Sequence, residues 1–549
     1  MKKMKNIYAL MAAASVLSLG SCIEETFPES DIATAEQVGQ SPSALEGTVN
    51  GISSQMVQGY LVYGEQEHET DMGYPQFMIA NTEMLGDMYP GGSNSGYDWY
   101  RNYNTMQGNS DRSYLSYLPW RTLYMFVKTA NSIIANVNVD DENLSDETRY
   151  YAGSAYADRA FMYYNLMVYF EPVENKYTNV SAVKDLTVPI VTEKTTEDQA
   201  KNNPRATHDE MVAFILSDLD IADRMLEDND LAAYDKANRL VPSLAVSYGI
   251  RAKVLLWDKQ YAEAATYARK AINAMGSKAK VMTADEMEDP TSGFAKATDG
   301  WMWYLHYSPE SMGNLCNFTG WMSGEDGWGY SSLTCPMIDK SLYDKMGFQD
   351  VRRHLFLDPK RNDFYAYKTS RTQAYLDGKP DYLALKFRCL DGDYNTYSIG
   401  GAVDVPVMRV EEMLLIEAEA VGASQGVAAG LTLLKNFMRN RDSGYSFNTS
   451  DLREFQLEVL TQMRLEGWGE GWAFPSAKRL KPGVIQNYEG TNAPADIFKI
   501  NCEDIKPNWN IVIPNSEVEA NVALKGYNNP DPTQSVVGPS PVGKYADPQ

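Results

Sequence analysis

PSLAVSYGIRAKVLLWDKQYAEAATYARKAINAM, residues 242–275, reads as a helix, a break at Asp258-Lys259 and a second helix. Apolar residues recur three and four apart on both sides of the break, the period of one helix face. Small residues line the facing sides: Ala245, Gly249 and Ala252 on the first helix, and Ala264, Ala265, Ala268 and Ala271 on the second. Side chains that small let two backbones approach closely, so the stretch predicts an antiparallel helix pair. A second pair is visible at Val410 to Val421 and Gly426 to Asn440, with Ala418 and Ala420 at the crossing.

This layout resembles the tetratricopeptide repeat, about 34 residues of paired helices. The chain is therefore expected to be mainly α, with at least two such units. Working outward, Thr207-His208-Asp209-Glu210 fits a capping box that opens a helix over 208–226, with Met211, Phe214, Ile215, Leu219 and Ala222 on one face. His208, inside that cap, reads as a surface residue. Helical spacing also covers 148–169, 120–137 and 43–58, the last through Leu45, Val49, Ile52 and Met56. By contrast, 59–118 reads as long loops with short helices, and 278–404 as an irregular insertion dense in Gly, Trp and Tyr. Loops this long in a compact body are usually functional. Beyond Leu480 the chain is again loop-like, and strands are expected to be few and short.

The amino end carries Lys2, Lys3 and Lys5, an apolar run from Ile7 to Leu19, and then Leu19-Gly20-Ser21-Cys22. The run is far shorter than the ~20 residues a spanning helix needs. It reads as a secretory signal over 1–21 closed by a cysteine, and it resembles a bacterial lipoprotein box. Cys22 would then be lipidated and 22–42 would be a tether. Ile23-Glu24-Glu25 resembles the surface-export signal of Bacteroidetes lipoproteins, which implies the outer face of the outer membrane. Losing Lys2, Lys3 and Lys5 leaves 46 of the 49 basic residues against 73 acidic ones, a net charge of −27. Such an excess disfavours nucleic acid and anionic ligands. Besides Cys22 there are Cys316, Cys335, Cys389 and Cys502, with no C-x-x-C pair, so zinc and thioredoxin-type chemistry fail on spacing. An exported location permits a disulfide, for which Cys316 and Cys335 are the candidate pair, though sequence alone does not fix it.

Motifs for catalysis are missing: there is no H-E-x-x-H, G-x-S-x-G, Walker loop or G-x-G-x-x-G. No cofactor is expected. His68 lies among Glu65, Glu67, Glu69 and Asp71, a run that reads as a solvated loop in preference to a metal site. Asp391, Asp393 and Asn395 have the odd-position acids of a calcium loop, but Thr396 and Ala402 stand where Gly and the bidentate Glu belong. Glu411-Glu412 and Glu417-Glu419 read as a solvated helix face. What stands out is aromatic: Tyr97, Trp99, Tyr100 and Tyr103 beside Asn102 in one loop, and Trp321, Trp328 and Tyr330 among glycines in another. Exposed rings stack on the apolar face of a pyranose while polar neighbours satisfy its hydroxyls. Tyr97, Trp99, Tyr100, Asn102, Trp321 and Trp328 are therefore the candidate glycan contacts.

Several segments resemble the SusD/RagB family of nutrient-binding outer-membrane lipoproteins. Ala157-Asp158-Arg159-Ala160-Phe161-Met162-Tyr163-Tyr164 is similar to the family's "LRAxxYY" helix, and Val188-Pro189-Ile190 to the "vPlv" after it. Arg205 to Ala222 resembles its "R-x-t-x-x-E…I-x-x-DL-x-x-A" helix, and Met408 to Ala420 its "R-x-aE-x-x-L-x-x-AEA" segment. Arg464 to Leu480 resembles "R-x-x-E…EG-x-r…lkR", although Gly467-Trp468-Gly469-Glu470-Gly471-Trp472 is unusually rich in Trp and Gly and Pro475 interrupts it. The resemblance implies a helical body supporting a loop-rich ligand face, divided into a region over 43–240 and a C-terminal region over 241–549. It also implies a non-catalytic lid over a SusC-like TonB-dependent transporter. A lid for oligopeptides and a surface glycosidase are the rival readings.

Overall fold

Helices form where apolar side chains can be buried against a sequence neighbour. The computed structural model describes residues 42–59, 62, 69–92, 97–310, 315, 317–359, 368–533 and 535–543. Its helices are α1 (Pro42–Met56), α2 (Pro75–Leu85), α3 (Tyr114–Ile134), α4 (Asp146–Phe170), α5 (His208–Leu226), α6 (Leu244–Trp257), α7 (Tyr261–Ala274), α8 (Val410–Gln425), α9 (Val427–Met438), α10 (Leu452–Glu466) and α11 (Phe474–Leu480), besides single turns. Each of α3 to α9 packs on the next in chain order, and α10 on α8. That succession is the tetratricopeptide-like stack the sequence predicts. The strands β1 (Met88–Pro90), β2 (Trp301–His306), β3 (Pro336–Ile338), β4 (Asp404–Arg409), β5 (Val484–Ile485) and β6 (Asn501–Cys502) pair antiparallel as β1–β3, β2–β4 and β5–β6. No helix among the described residues is long and apolar enough to cross a membrane. The signal segment, Cys22, the tether, His68 and Cys316 lie outside the described residues, while Cys335, Cys389 and Cys502 are free, buried thiols.

Local signals explain the pair at 242–275. Lys259, with φ of +61°, turns the chain between α6 and α7, and Ala264, Ala265, Ala268 and Ala271 are buried at the crossing. A Cβ at Gly249 would come within 2.5 Å of Met408 Sδ, so any larger residue there would have to push the Met408 side chain of β4 aside. At the start of α5, Thr207 Oγ1 accepts from the Glu210 amide (3.3 Å) and Glu210 Oε2 from the Thr207 amide (2.8 Å), the expected capping box. One of the short helices expected within 59–118 is α2, all eleven residues of which are buried. A helix buried all round has no apolar stripe for periodicity to detect. Helix α3 starts at Tyr114, with Ser113 as its cap, although Pro119 lies in its second turn.

The acidic residues of α8 are not solvated. Glu411, Glu412, Glu417 and Glu419 are all buried, and each meets a cation from elsewhere in the chain. Glu412 binds Lys253 (2.6 Å), Glu417 binds Arg269 (2.5 Å) and Glu419 binds Arg479 (2.7 Å). Glu411 meets Arg409 (3.0 Å) and Arg441 (3.3 Å) in a larger cluster. Within it, Arg409 also grips Glu470 through Nε (2.7 Å) and Nη2 (2.9 Å), Arg441 Nε reaches Glu466 (2.8 Å), Lys386 reaches Glu470 (2.6 Å) and Arg352 reaches Asp350 (2.6 Å). Four cations thus face four carboxylates. Burial alone would raise the Glu466 carboxyl, but the charges of Arg441, Arg409 and Arg352 overcome it and hold that group far below the usual carboxylate range.

His208 also departs from its expected surface role. Its Nδ1 lies 2.9 Å from Glu171 Oε1 and its Nε2 2.9 Å from Asp258 Oδ1, joining the ends of α4 and α6 to the start of α5. The hydrogen bond to Glu171, opposed by burial, raises the imidazole to about 9. Nearer the amino end, β1 brings two distant loops together. Beyond the β1–β3 ladder, the Gly91 amide donates to Cys335 O (3.0 Å) and the Gly92 amide to Thr334 O (2.8 Å). A Cβ at Gly92 would lie 1.8 Å from Leu333 O, so only glycine fits.

Three outcomes are expected. Arg409→Met should cost about 3–5 kcal/mol in urea unfolding by stranding buried carboxylates, whereas the exposed Arg439→Met should change stability by less than about 0.5 kcal/mol. Because the folded imidazole of His208 is raised, its contribution is complete below its ordinary value of 6.5 and is lost as pH rises through about 9. His208→Gln should therefore narrow the difference in unfolding free energy between pH 6.5 and 9.5. Gly92→Val should lower stability by about 1–3 kcal/mol and weaken the near-UV circular dichroism of the rings that the two loops carry.

Candidate functional site

The β1–β3 zipper sets Gly91 and Gly92 beside the end of the segment from Phe318 to Thr334, and Tyr97 and Tyr100 lie against the same segment. Both aromatic clusters predicted from sequence therefore belong to one surface. Tyr100 meets Trp321 edge to face (5.0 Å between ring centres), Trp321 stacks on Tyr330 (4.7 Å, 20°), and Tyr330 is followed by Tyr97 (6.5 Å, 32°). A second contact joins Trp328 to Tyr397 (6.4 Å). Offset and edge-to-face pairs of this kind favour rigid placement. The row runs from buried to exposed: Tyr100 and Trp321 are 1% and 3% accessible, Tyr330 is partly buried, and Tyr97 is 48% accessible.

Glycines seat the second segment. Trp328 lies over Gly320, where an added Cβ would sit 3.0 Å from Trp328 Cζ3. A Cβ at Gly329 would lie 2.4 Å from Gly320 Cα, so the turn closes directly on the short helix Phe318–Met322. Asp326, buried under that turn, accepts from the Gly329 amide (2.5 Å) and the Ser331 hydroxyl (2.7 Å), and burial lifts its carboxyl to about 7. The Nε1 atoms of Trp321 and Trp328 are buried without a hydrogen-bond partner among the described residues.

Polar groups brace the first loop from beneath. Tyr114 donates its hydroxyl to Trp99 O (3.0 Å) and accepts from Asn102 Nδ2 (3.1 Å), and burial pushes its phenol up to about 12. Tyr100 donates to Thr70 O (2.9 Å), and Asp98 Oδ1 accepts from the Arg101 amide (3.2 Å). Trp99, Asn102 and Trp328 are half-buried at the surface. Two of the expected contacts need correcting on accessibility. Tyr100 and Trp321 are not exposed rings; they form the floor on which Tyr97 and Tyr330 rest. Tyr330 and Tyr397 complete the surface, and spacing among glycines signalled the first of them but not the second. The acids with calcium-loop spacing serve the chain itself: Asp393 Oδ1 accepts from the Asn395 and Thr396 amides, both at 2.9 Å, and Asp391 lies 3.4 Å from Lys296.

Residues 52–256 match a SusD-like family model described as "Starch-binding associating with outer membrane". No curated protein matches the chain. Among solved structures, a SusD-like carbohydrate binding protein from Bacteroides vulgatus is 19% identical with a TM-score of 0.68, over 88% of this chain and 97% of that one. A SusD superfamily protein from Bacteroides thetaiotaomicron is 17% identical with a TM-score of 0.67, over 89% and 100%. Surface glycan-binding protein A from Bacteroides uniformis is 17% identical with a TM-score of 0.62, over 89% and 99%. At such identities these structures speak to the fold, and it is theirs nearly from end to end. The family match thus covers α2 to α6, and the fold these solved structures share extends over the remainder of the chain.

Proposed function

We propose that this protein is a non-catalytic, lipid-anchored glycan-binding protein of the outer membrane that delivers oligosaccharides to a SusC-like TonB-dependent transporter. The observation that carries the reading is the meeting of two distant aromatic loops on one braced surface, with Tyr97, Trp99 and Trp328 at its outer edge and Tyr100 and Trp321 beneath. Flat rings held at fixed angles suit sugar faces, and partly exposed amides such as Asn102 suit hydroxyls. The family description and the glycan-binding relatives support the ligand class. Delivery to a transporter rests on the family resemblance, and lipidation on Cys22. The absence of turnover is supported by the state of Glu411, Glu412, Glu417 and Glu419 on α8 and of Glu466 on α10, which are buried and held by arginine or lysine. A glycosidase needs two carboxyls open to one glycosidic bond.

Affinity-gel retention on polysaccharides tests the reading. Tyr97→Ala should weaken retention about tenfold, or about 1.4 kcal/mol, with the melting temperature unchanged, whereas Trp99→Ala and Trp321→Ala, whose rings pack on the core, should lower both retention and melting temperature. Unaltered retention in the first two variants, binding of peptides alone, or release of cleaved sugar would overturn it.

A further inference from the structure

Beside Trp328 sits a guanidinium stacked between two tyrosine rings. The Arg371 guanidinium carbon lies 3.7 Å from the ring centre of Tyr375 and 3.9 Å from that of Tyr394. Lys379 Nζ adds a second positive charge 4.7 Å from the Tyr375 ring. The Gly327 amide donates to Tyr394 O (3.0 Å), and a Cβ at Gly327 would lie 3.6 Å from Arg371 Nη1. The guanidinium therefore borders the backbone that carries Trp328, whose ring faces the 40% accessible Tyr397.

Among the described residues no carboxylate makes an ion pair with Arg371. The acid nearest in sequence to this turn, Asp326, spends its hydrogen bonds on Gly329 and Ser331, and it feels the charge of Arg371 without a direct ion pair. Stacking uses the faces of a guanidinium and leaves its N–H edges in the plane between the rings. A guanidinium so held has already lost much of its rotamer freedom and presents a fork that matches two oxygens of an oxyanion. Long-range charge works the other way, since the acidic chain repels anions, so an anionic ligand is retained only where a local cation offsets that field.

We infer that Arg371 is a specificity residue that reads an acidic substituent, a carboxylate or a sulfate ester, on a sugar resting against Trp328 and Tyr397. The inference rests on the glycan-binding reading above and narrows its ligand class. A purely structural clamp between Tyr375 and Tyr394 is the alternative, and it predicts no dependence on ligand charge.

The test is a glycan array probed with the mature chain, each acidic glycan printed beside its methyl-esterified or desulfated twin. Retained glycans should be acidic, and their neutral twins should bind about tenfold more weakly. The carboxylated and sulfated pairs show which group is read. Arg371→Gln should reduce the acidic glycan to the level of its twin and leave the twin unchanged, while Arg371→Lys, measured alongside for folding, should keep part of the difference. Retention of neutral glycans only, or equal binding of the acidic glycan by Arg371→Gln and the unaltered chain, overturns this inference and leaves the parent reading standing. Retention of no glycan overturns both.

Discussion

Glu466, the last residue of α10, has no solvent to share its charge and three arginines around it. Arg409 ends β4, Arg441 follows α9 and Arg352 comes from the irregular insertion, so one carboxylate fastens the helix stack to the loops laid over it. Arg409 then reaches Glu470 and Lys386 closes the cluster. Removing charges from water costs several kcal/mol per ion, and the mutual attraction of the cluster only about offsets that. Its contribution is geometric: few other arrangements of these segments could pair every charge. The loops that carry the aromatic surface are tied to each other through β1 and β3.

The insertion is irregular for the same reason. Between α7 and α8 the chain makes few ladders, and its order comes from buried side chains, such as Trp303, which donates to Leu240 O (3.1 Å), and Trp301, both sunk completely in the core. Large aromatics bury much area each and can hold a loop that has little secondary structure. Exposed rings at the same loops are then the surplus of a framework already built from aromatic contacts.

How much of this is legible beforehand depends on how local the cause is. The Thr207–Glu210 box, the break at Asp258-Lys259 and the alanine crossings of α6 and α7 are decided within a few residues, and all stand where the spacing puts them. Helix α2 and the acids of α8 depend on what surrounds them. Their partners lie tens to hundreds of residues away, and a helix enclosed on every side carries no stripe. The candidate surface falls between these cases. Its residue types can be read from composition, since rings beside glycines and amides stand out in two loops. That Trp321 would lie under Tyr330, and that both would join Tyr97, follows from the Gly91-Gly92 zipper, for which no pairing rule exists in one sequence.

The three free thiols have a consequence for handling and for life outside a reducing compartment. Burial raises the pKa of Cys335 and Cys389, and that of Cys502 to about 11, so the reactive thiolate is scarce at neutral pH. Each sulfur is shielded within packed side chains. Oxidants and alkylating reagents meet little target, and two copies of the folded chain have no sulfurs at these positions with which to crosslink.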